Sequence, residues 1–269
     1  MTERTYETPR GTIHYWIGGQ PDGTKTLVFL PGLTADHRLF DKQMQALSQD
    51  YHVLVWDAPG HGASRPFELT FSLTDKADCL HGILEKEGIV RPVLVGQSMG
   101  GYVAQCFLER YPGEASGLIS IDSAPLKRRY VTGAEIWLLK RCEWMYRIYP
   151  WGLLMDHGSK GCATSAYGRS LMREMMTSYS HPEYARLSGH GFRMLAEAME
   201  ADLPYAIDCP CLLICGEKDM AGSAKSYNRR WAKTEGLPLV YIAGAGHNAN
   251  TDAPDTVNAM IDGFAKACR

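Results

Sequence analysis

The chain has 269 residues, of which 45% are hydrophobic and 22% charged, values typical of a globular protein large enough for one α/β domain with an insertion. Its formal net charge of −2 argues against a nucleic-acid-binding protein, which usually carries a basic excess. No long uncharged apolar segment is present, so we expect no membrane span. Residues 1–5 lack the pattern of a signal peptide, and we therefore expect a cytoplasmic protein.

Apolar runs and amphipathic stretches alternate along most of the chain. Residues 12–17 alternate in polarity before the turn cluster 18–23, which predicts a hairpin near the N-terminus. The continuous apolar run 26–30 predicts a strand buried on both faces. This alternation indicates an α/β fold with a doubly wound, mostly parallel sheet. We predict further strands at 51–56, 93–95, 118–122, 211–215 and 239–242, and helices at 39–47, 74–87, 102–109 and 257–267.

One segment, residues 124–204, interrupts the alternation. It is rich in aromatic residues and methionines, and the helix-like spacing of Ile136, Leu139, Trp144 and Ile148 predicts a helical cap inserted into a core formed by residues 1–123 and 205–269. Most of these side chains are expected to fill the core of the cap, but its underside would roof a pocket. We assign four side chains to the pocket wall: His37, Trp137, Trp144 and Trp151.

Eight cysteines raise the question of a metal site or disulfides. The densest group is Cys209, Cys211 and Cys215, but the latter two lie in a run that reads as a buried strand. No second cysteine pair or histidine cluster completes a tetrahedral site. Reduced cysteines in a cytosolic protein behave as small hydrophobic residues. We therefore expect no metal, no disulfide and no cofactor.

Ser98 lies at the apex of a strand-turn-helix pattern. The apolar strand is followed by Gly96-Gln-Ser98-Met-Gly100, and a helix-like segment begins at once. The small residues let strand and helix approach closely while the serine adopts a strained conformation with an exposed hydroxyl. This context favours a nucleophile elbow over a glycine-rich turn whose serine only caps the helix.

A serine nucleophile needs a histidine base that a carboxylate orients. His247 follows the last predicted strand and so lies at the same sheet edge as Ser98. Asp219 follows the preceding strand, and the order Ser98, Asp219, His247 is that of known hydrolases. Asp122 also ends a strand at this edge and is an alternative acid.

Backbone N–H groups must stabilise the oxyanion that forms during acyl transfer. One donor is expected to be Met99, the residue after the nucleophile, and the other Leu33, in the loop after the strand 26–30. Gly32 allows the backbone of that loop to turn inward. The side chains of Leu33 and Met99 would then form part of the pocket wall.

Taken together, these motifs resemble the α/β-hydrolase fold superfamily over essentially the full chain. The resemblance implies that residues 57–64 brace the site and that His61 is not catalytic. Pro31-Gly32 stands where many relatives have His-Gly, which should alter how the loop is anchored but keep its N–H donors. Dehalogenases and epoxide hydrolases of this fold carry aspartate at the elbow, so the serine argues against those activities.

A serine, a histidine, an acid and an oxyanion site are the machinery of acyl transfer. We predict a carboxylic-ester hydrolase whose partner is a small or medium, mostly apolar substrate, because the cap is aromatic and rich in methionine. The basic run 127–129 could attract an acidic substrate, although such runs are usually solvated. The sequence leaves the substrate, the exact acyl bond and the oligomeric state open.

Three alternatives to ester hydrolysis remain open from the sequence. The fold also resembles cofactor-free dioxygenases of heteroaromatic rings, in which the serine is auxiliary and the acid has the position of Asp122; Asp36-His37-Arg38 shares in that resemblance. A C–C bond hydrolase or a thioesterase is the second alternative, intermediate between an ester hydrolase and a dioxygenase. A non-catalytic ligand-binding protein is the third possibility, since a fold alone does not fix function.

Overall fold

A computed structural model describes residues 1–20, 25–204 and 206–268 of the chain. These residues contain eight strands, in the order β1 (Thr2–Thr8), β2 (Gly11–Gly19), β3 (Thr26–Leu30), β4 (His52–Trp56), β5 (Val93–Gln97), β6 (Gly117–Ile121), β7 (Cys211–Gly216) and β8 (Leu239–Ile242). They form one sheet with the strand order β1-β2-β4-β3-β5-β6-β7-β8. Only the pairs β1–β2 and β2–β4 are antiparallel. The predicted mostly parallel α/β sheet is therefore confirmed.

The hairpin near the N-terminus is formed by different strands from those that the sequence pattern predicts. Strand β2 pairs with the strand before it, β1, and on its other side with β4. Residues 21–23 of the predicted turn 18–23 lie outside the described residues, and the strand that follows the turn, β3, is not a neighbour of β2. Alternating polarity identifies a strand but not its partner, which tertiary pairing decides.

Eleven α-helices occur in the described residues, together with short 3-10 helices at His37–Phe40 and Arg128–Tyr130. They are α1 (Asp41–Leu47), α2 (Leu73–Glu87), α3 (Met99–Arg110), α4 (Gly133–Leu139), α5 (Glu143–Ile148), α6 (Trp151–Cys162), α7 (Ala166–Thr177), α8 (His181–Ala201), α9 (Ala224–Glu235), α10 (Ala249–Asp252) and α11 (Pro254–Ala267). None of them is long and apolar enough to cross a bilayer.

Strand β3 shows why the sheet is covered on both faces. Val28 and Leu30 belong to one apolar cluster, whereas Leu27 and Phe29 belong to the cluster on the opposite face. All four side chains are fully buried because successive residues of a strand point to opposite faces. A continuous apolar run is therefore the pattern that this central strand requires.

Helices α4 to α8 lie between β6 and β7, where the sequence predicts the insertion. Three of them begin at a serine or threonine whose side chain accepts a hydrogen bond from a backbone N–H of the first turn: Thr132, Ser165 and Ser180. These caps explain why a segment without strands still forms well-defined helices. The boundaries of the cap at residues 124 and 204 stay a prediction.

Two glycines let α3 pack closely against the sheet beneath Ser98. A Cβ on Gly100 would overlap the carbonyl oxygen of Leu30, and one on Gly96 would lie 2.5 Å from the backbone of Gly100. Both positions therefore require glycine for a steric reason rather than for a special φ angle. The close approach places the first turn of α3 directly above the ends of β3 and β5.

Candidate active site

Ser98 lies in the sharp turn between β5 and α3. Its backbone angles are φ 49° and ψ −115°, a sparsely populated region for a residue with a side chain. The Ser98 N–H donates to the carbonyl of Ile121, at 2.9 Å, and so attaches the turn to the neighbouring strand β6. The strained turn and its support by β6 are the geometry expected of a nucleophile elbow.

His247 reaches Ser98 from the loop that follows β8. Its Nε2 lies 2.8 Å from the Ser98 Oγ, and its Nδ1 lies 3.1 Å from Oδ1 of Asp219. Asp219 is 3% exposed, and the same Oδ1 accepts a 2.8 Å hydrogen bond from the N–H of Ala221. The structure thus brings the three predicted residues into one hydrogen-bonded chain.

Asp122, the alternative acid, is bonded elsewhere. Its carboxyl oxygens accept hydrogen bonds from the N–H groups of Gly216, at 2.6 Å, and Ala249, at 3.0 Å. Burial raises the pKa of Asp122 to about 8. Among the described residues, no hydrogen bond joins Asp122 to His247. The carboxyl group instead connects the end of β7 to the segment that follows β8.

The pKa of His247 reflects two opposing effects. Burial of the imidazole lowers its pKa, but the hydrogen bond and the charge of Asp219 more than offset this. The pKa of His247 therefore lies above the ordinary value for histidine. A histidine in this state is a competent base near neutral pH and is stabilised once it carries the proton.

Two residues that sequence reasoning missed hold the loop of His247 in place. The Gln97 side-chain amide donates to the carbonyl of His247, at 2.8 Å, and to Oδ1 of Asn248, at 3.1 Å. Asp252 accepts from the N–H of Gly246 at 2.8 Å. Gln97 is only 2% exposed, and a polar residue at the buried end of a strand was the signal that could have found it.

The loop after β3 approaches the elbow closely. A Cβ on Gly32 would overlap the side chain of Gln97 and lie 3.1 Å from the Cβ of Ser98, so only glycine fits there. Thr34 has a positive φ of 63°, which turns the loop beside Leu33. Met99 opens α3, and the first N–H groups of a helix have no partner within it. Leu33 and Met99 both line the cavity next to Ser98.

That cavity has a volume of about 650 Å³ and extends from the elbow to helices α4–α8, the segment that the sequence predicts to be a cap. The volume is in the range of small-molecule sites. Its wall is mainly apolar and comes from several cap helices as well as the core. Cap residues in the wall include Leu138, Leu139, Tyr146, Met176, Tyr184 and Phe192.

The tryptophans that the sequence assigns to the pocket wall lie outside this cavity. Trp137 and Trp144 are 58% and 56% exposed and project from α4 and α5 into solvent. Trp151 stacks on His181 and packs against Tyr184, each at 5.3 Å between ring centroids. Helical spacing shows which residues share a face but not which face meets the cavity. The assignment of these three residues is therefore corrected.

His37 also lies away from the cavity wall. Its ring stacks on Trp16 with 3.6 Å between centroids, and its Nδ1 lies 2.9 Å from Oδ1 of Asp57. Asp57 also accepts from the N–H groups of His37 and Ala63. The histidine therefore helps to hold the loop that begins at Asp57, and its assignment to the pocket is corrected too.

Two groups of side chains in the described residues have the spacing of metal ligands: Asp36, His37 and Asp57, and Asp122, Cys215 and Asp219. Asp57 and Asp122 already accept backbone hydrogen bonds, and Asp219 holds His247. Asp36 accepts from the N–H of Arg38 and forms an ion pair with its guanidinium, so each of the four carboxyl groups has a protein partner.

The comparisons with known proteins agree with this fold. Residues 27–260 match the alpha/beta hydrolase family. The chain is 29% identical over 276 residues to 2-succinyl-6-hydroxy-2,4-cyclohexadiene-1-carboxylate synthase of Citrobacter koseri, covering 94% of this chain and 96% of that protein. It is 23% identical over 258 residues to 2-(acetamidomethylene)succinate hydrolase of Mesorhizobium japonicum, covering 90% and 88% respectively.

Solved structures share the architecture. An esterase from Thermogutta terrifontis superposes with a TM-score of 0.78 at 22% identity and covers 99% of both chains. The enol-lactonase from Burkholderia xenovorans also has a TM-score of 0.78 at 22% identity and covers 98% of this chain and 100% of its own. At these identities the likeness establishes the fold, and the family match spans most of the sequence. The chain belongs to the alpha/beta hydrolase family.

Proposed function

We propose that this protein is a serine hydrolase that cleaves a carboxylic ester, or a related acyl bond, of a small to medium, mostly apolar molecule. The observation that carries the proposal is the hydrogen-bonded chain from Ser98 Oγ through His247 to Asp219, with distances of 2.8 Å and 3.1 Å. Such a chain turns a weakly nucleophilic hydroxyl into an effective one. The apolar cavity beside Ser98 supports the substrate class.

In the first half of the reaction, Ser98 Oγ attacks the carbonyl carbon while His247 Nε2 takes the hydroxyl proton. Asp219 orients the imidazole and stabilises its charged form. Collapse of the tetrahedral intermediate breaks the ester bond, and His247 returns the proton to the leaving alcohol. An acyl group then remains on Ser98.

Water completes the reaction by the same steps in reverse. His247 takes a proton from the water molecule as its oxygen attacks the acyl carbonyl, and then gives that proton back to Ser98 as the acid leaves. In both halves the oxyanion would receive hydrogen bonds from the N–H groups of Leu33 and Met99. Donors of this kind each contribute about 2.7–4 kcal/mol to transition-state stabilisation.

A fluorophosphonate probe combined with a panel of p-nitrophenyl esters of graded chain length tests this proposal. We expect turnover of the esters, and we expect the probe to stop it by forming one adduct that mass spectrometry locates on Ser98. Turnover that survives full labelling, or labelling on another residue, would contradict the assignment of the nucleophile. Saturable ester binding without turnover would instead support a ligand-binding protein.

The pH dependence of kcat/KM gives a second test. His247 must be uncharged to accept the serine proton, so activity should rise with pH through the pKa of His247 in the free enzyme. Because Asp219 raises that pKa, we expect the midpoint above the ordinary histidine value of about 6.5. Replacing Asp219 by asparagine removes the contribution that raises the pKa and leaves burial, so the midpoint should move to lower pH. A midpoint that stays in place would show that Asp219 does not contact the base.

A further inference from the structure

The charged groups around the cavity are unevenly distributed. Within the part of the chain that the structure describes, no lysine or arginine lines it. The lining contains two carboxyl groups, Asp122 and Glu135, and two histidines, His157 and His247. Because burial raises the pKa of Asp122 to about 8, that group is mostly uncharged at neutral pH. Of these two carboxyl groups, Glu135 is therefore the one that carries a negative charge at neutral pH.

The carboxylate of Glu135 is ionised and accepts several hydrogen bonds. It lies in the first turn of α4, and its carboxylate accepts from the N–H and the hydroxyl of Thr132, at 2.9 Å and 2.7 Å. Across the cavity wall it accepts from the hydroxyls of Ser223, at 2.9 Å, and Tyr227, at 2.5 Å. Burial raises its pKa, but the hydrogen bonds from Tyr227 and Thr132 outweigh this and lower the pKa to about 2.

The basic run 127–129 does not compensate for this charge. Lys127 and Arg129 both form ion pairs with Glu235, at 3.0 Å and 2.5 Å. The Arg128 guanidinium donates to the carbonyl of Val131. Lys127 and Arg129 therefore join this segment to helix α9, and none of the three side chains lies in the cavity wall beside Ser98.

We propose that the site selects esters without a carboxylate, uncharged or cationic, and that Glu135 is the residue responsible for rejecting anionic ones. The inference rests on the proposed ester hydrolysis and adds its substrate class. A carboxylate entering the cavity would lose water and meet a fixed negative charge, with no lysine or arginine among the described wall residues to pair with. An uncharged ester meets no such penalty, and an ammonium group would be attracted.

Two series of esters test this, because a charge on either end of the substrate could face Glu135. Acetate esters of 3,3-dimethylbutanol, choline and 4-hydroxybutanoate vary the alcohol, and methyl hexanoate with methyl esters carrying a terminal ammonium or carboxylate varies the acyl chain. Each kcat/KM is divided by the rate constant for hydroxide-catalysed hydrolysis of the same ester, which corrects for differences in intrinsic reactivity among the esters. Work at about pH 7.5 limits cationic charge on histidine side chains.

In the series in which the charged end of the substrate lies near Glu135, we expect this corrected kcat/KM to be about tenfold higher for the uncharged ester than for the anionic ester at low ionic strength. Glu135→Gln should raise the ratio of anionic to uncharged turnover towards one, whatever happens to the absolute rates. Added salt should bring this ratio closer to one in the wild type but should not change it in the variant. A purely structural role for Glu135 would not produce that salt response.

Glu143→Gln is the matched control, since it removes the same charge from the cap. Glu143 pairs with Arg147 and Arg193 and does not line the cavity, so its variant should keep the wild-type ratio. Equal or faster hydrolysis of anionic esters by the wild type in both series, or a ratio unchanged by Glu135→Gln, would overturn the inference. Failure of every ester would instead count against the proposed function itself.

Discussion

Replacing Ser98 by alanine is expected to lower kcat for p-nitrophenyl butyrate by about 10⁶-fold, because no other group in the proposed mechanism can form the acyl-enzyme. Alanine can adopt the same backbone angles at the same cost, so circular dichroism and thermal unfolding should match the wild type. Ser170→Ala, a serine exposed on α7, is the matched control and should retain full activity.

The partnership with His247 sharpens this test. His247→Ala should lower kcat by about as much as Ser98→Ala, and the double variant should lower it little further. The effects of residues that act as one catalytic unit are strongly non-additive. If the two losses instead multiply, the residues act in separate steps. If Ser98→Ala keeps most of the activity, His247 acts on the substrate or on water directly and the acyl-enzyme mechanism is wrong.

Replacing Asp219 by asparagine is expected to lower kcat by about 10⁴-fold. The amide can no longer hold the imidazole with its Nδ1 proton towards residue 219, so the unprotonated nitrogen is not presented to Ser98. The measurement is single-turnover acylation with p-nitrophenyl butyrate, which isolates the step that needs the base. Unfolding in urea, followed in parallel, checks that the variant keeps its fold.

Asp122→Asn is the matched comparison and should behave differently. Asp122 receives N–H bonds from Gly216 and Ala249, so its loss should chiefly reduce stability, by about 1–3 kcal/mol, with a smaller effect on acylation. The opposite pattern, with Asp122→Asn inactive and Asp219→Asn unaffected, would favour the dioxygenase-like arrangement. Oxygen uptake with a hydroxyquinolone would then be the measurement to make.

Much of the sheet and the elbow could be predicted because local chemistry determines them. The apolar runs of β3 and β5 permit little besides buried strands, and the glycines around Ser98 permit the close packing of α3. The ends of parallel strands meet at one edge, so Asp219 and His247 could be placed near Ser98 before any coordinates were known. Their catalytic roles stay a prediction until the variants are measured.

The choice between the two acids could not be made from the chain alone. Asp122 and Asp219 both follow strands at the same edge, and composition does not distinguish them. What separates them is the direction of each side chain: Asp219 points to Nδ1 of His247, whereas Asp122 points to two backbone N–H groups. Hydrogen bonds between segments distant in sequence decide this, and no local pattern encodes them.

The identity of the residues in the cavity wall could not be predicted either, because it also depends on tertiary packing. Trp137 and Trp144, which the sequence assigns to the pocket wall, face solvent, whereas Glu135, in the same short helix as Trp137, contacts Tyr227 across the cavity wall. Periodicity within a helix defines its faces, and only docking against other elements decides which face is inside. The residues of this chain therefore specify the sheet, the elbow and the order of the site residues, whereas the packing of helices α4–α8 against the sheet domain decides which side chains line the cavity.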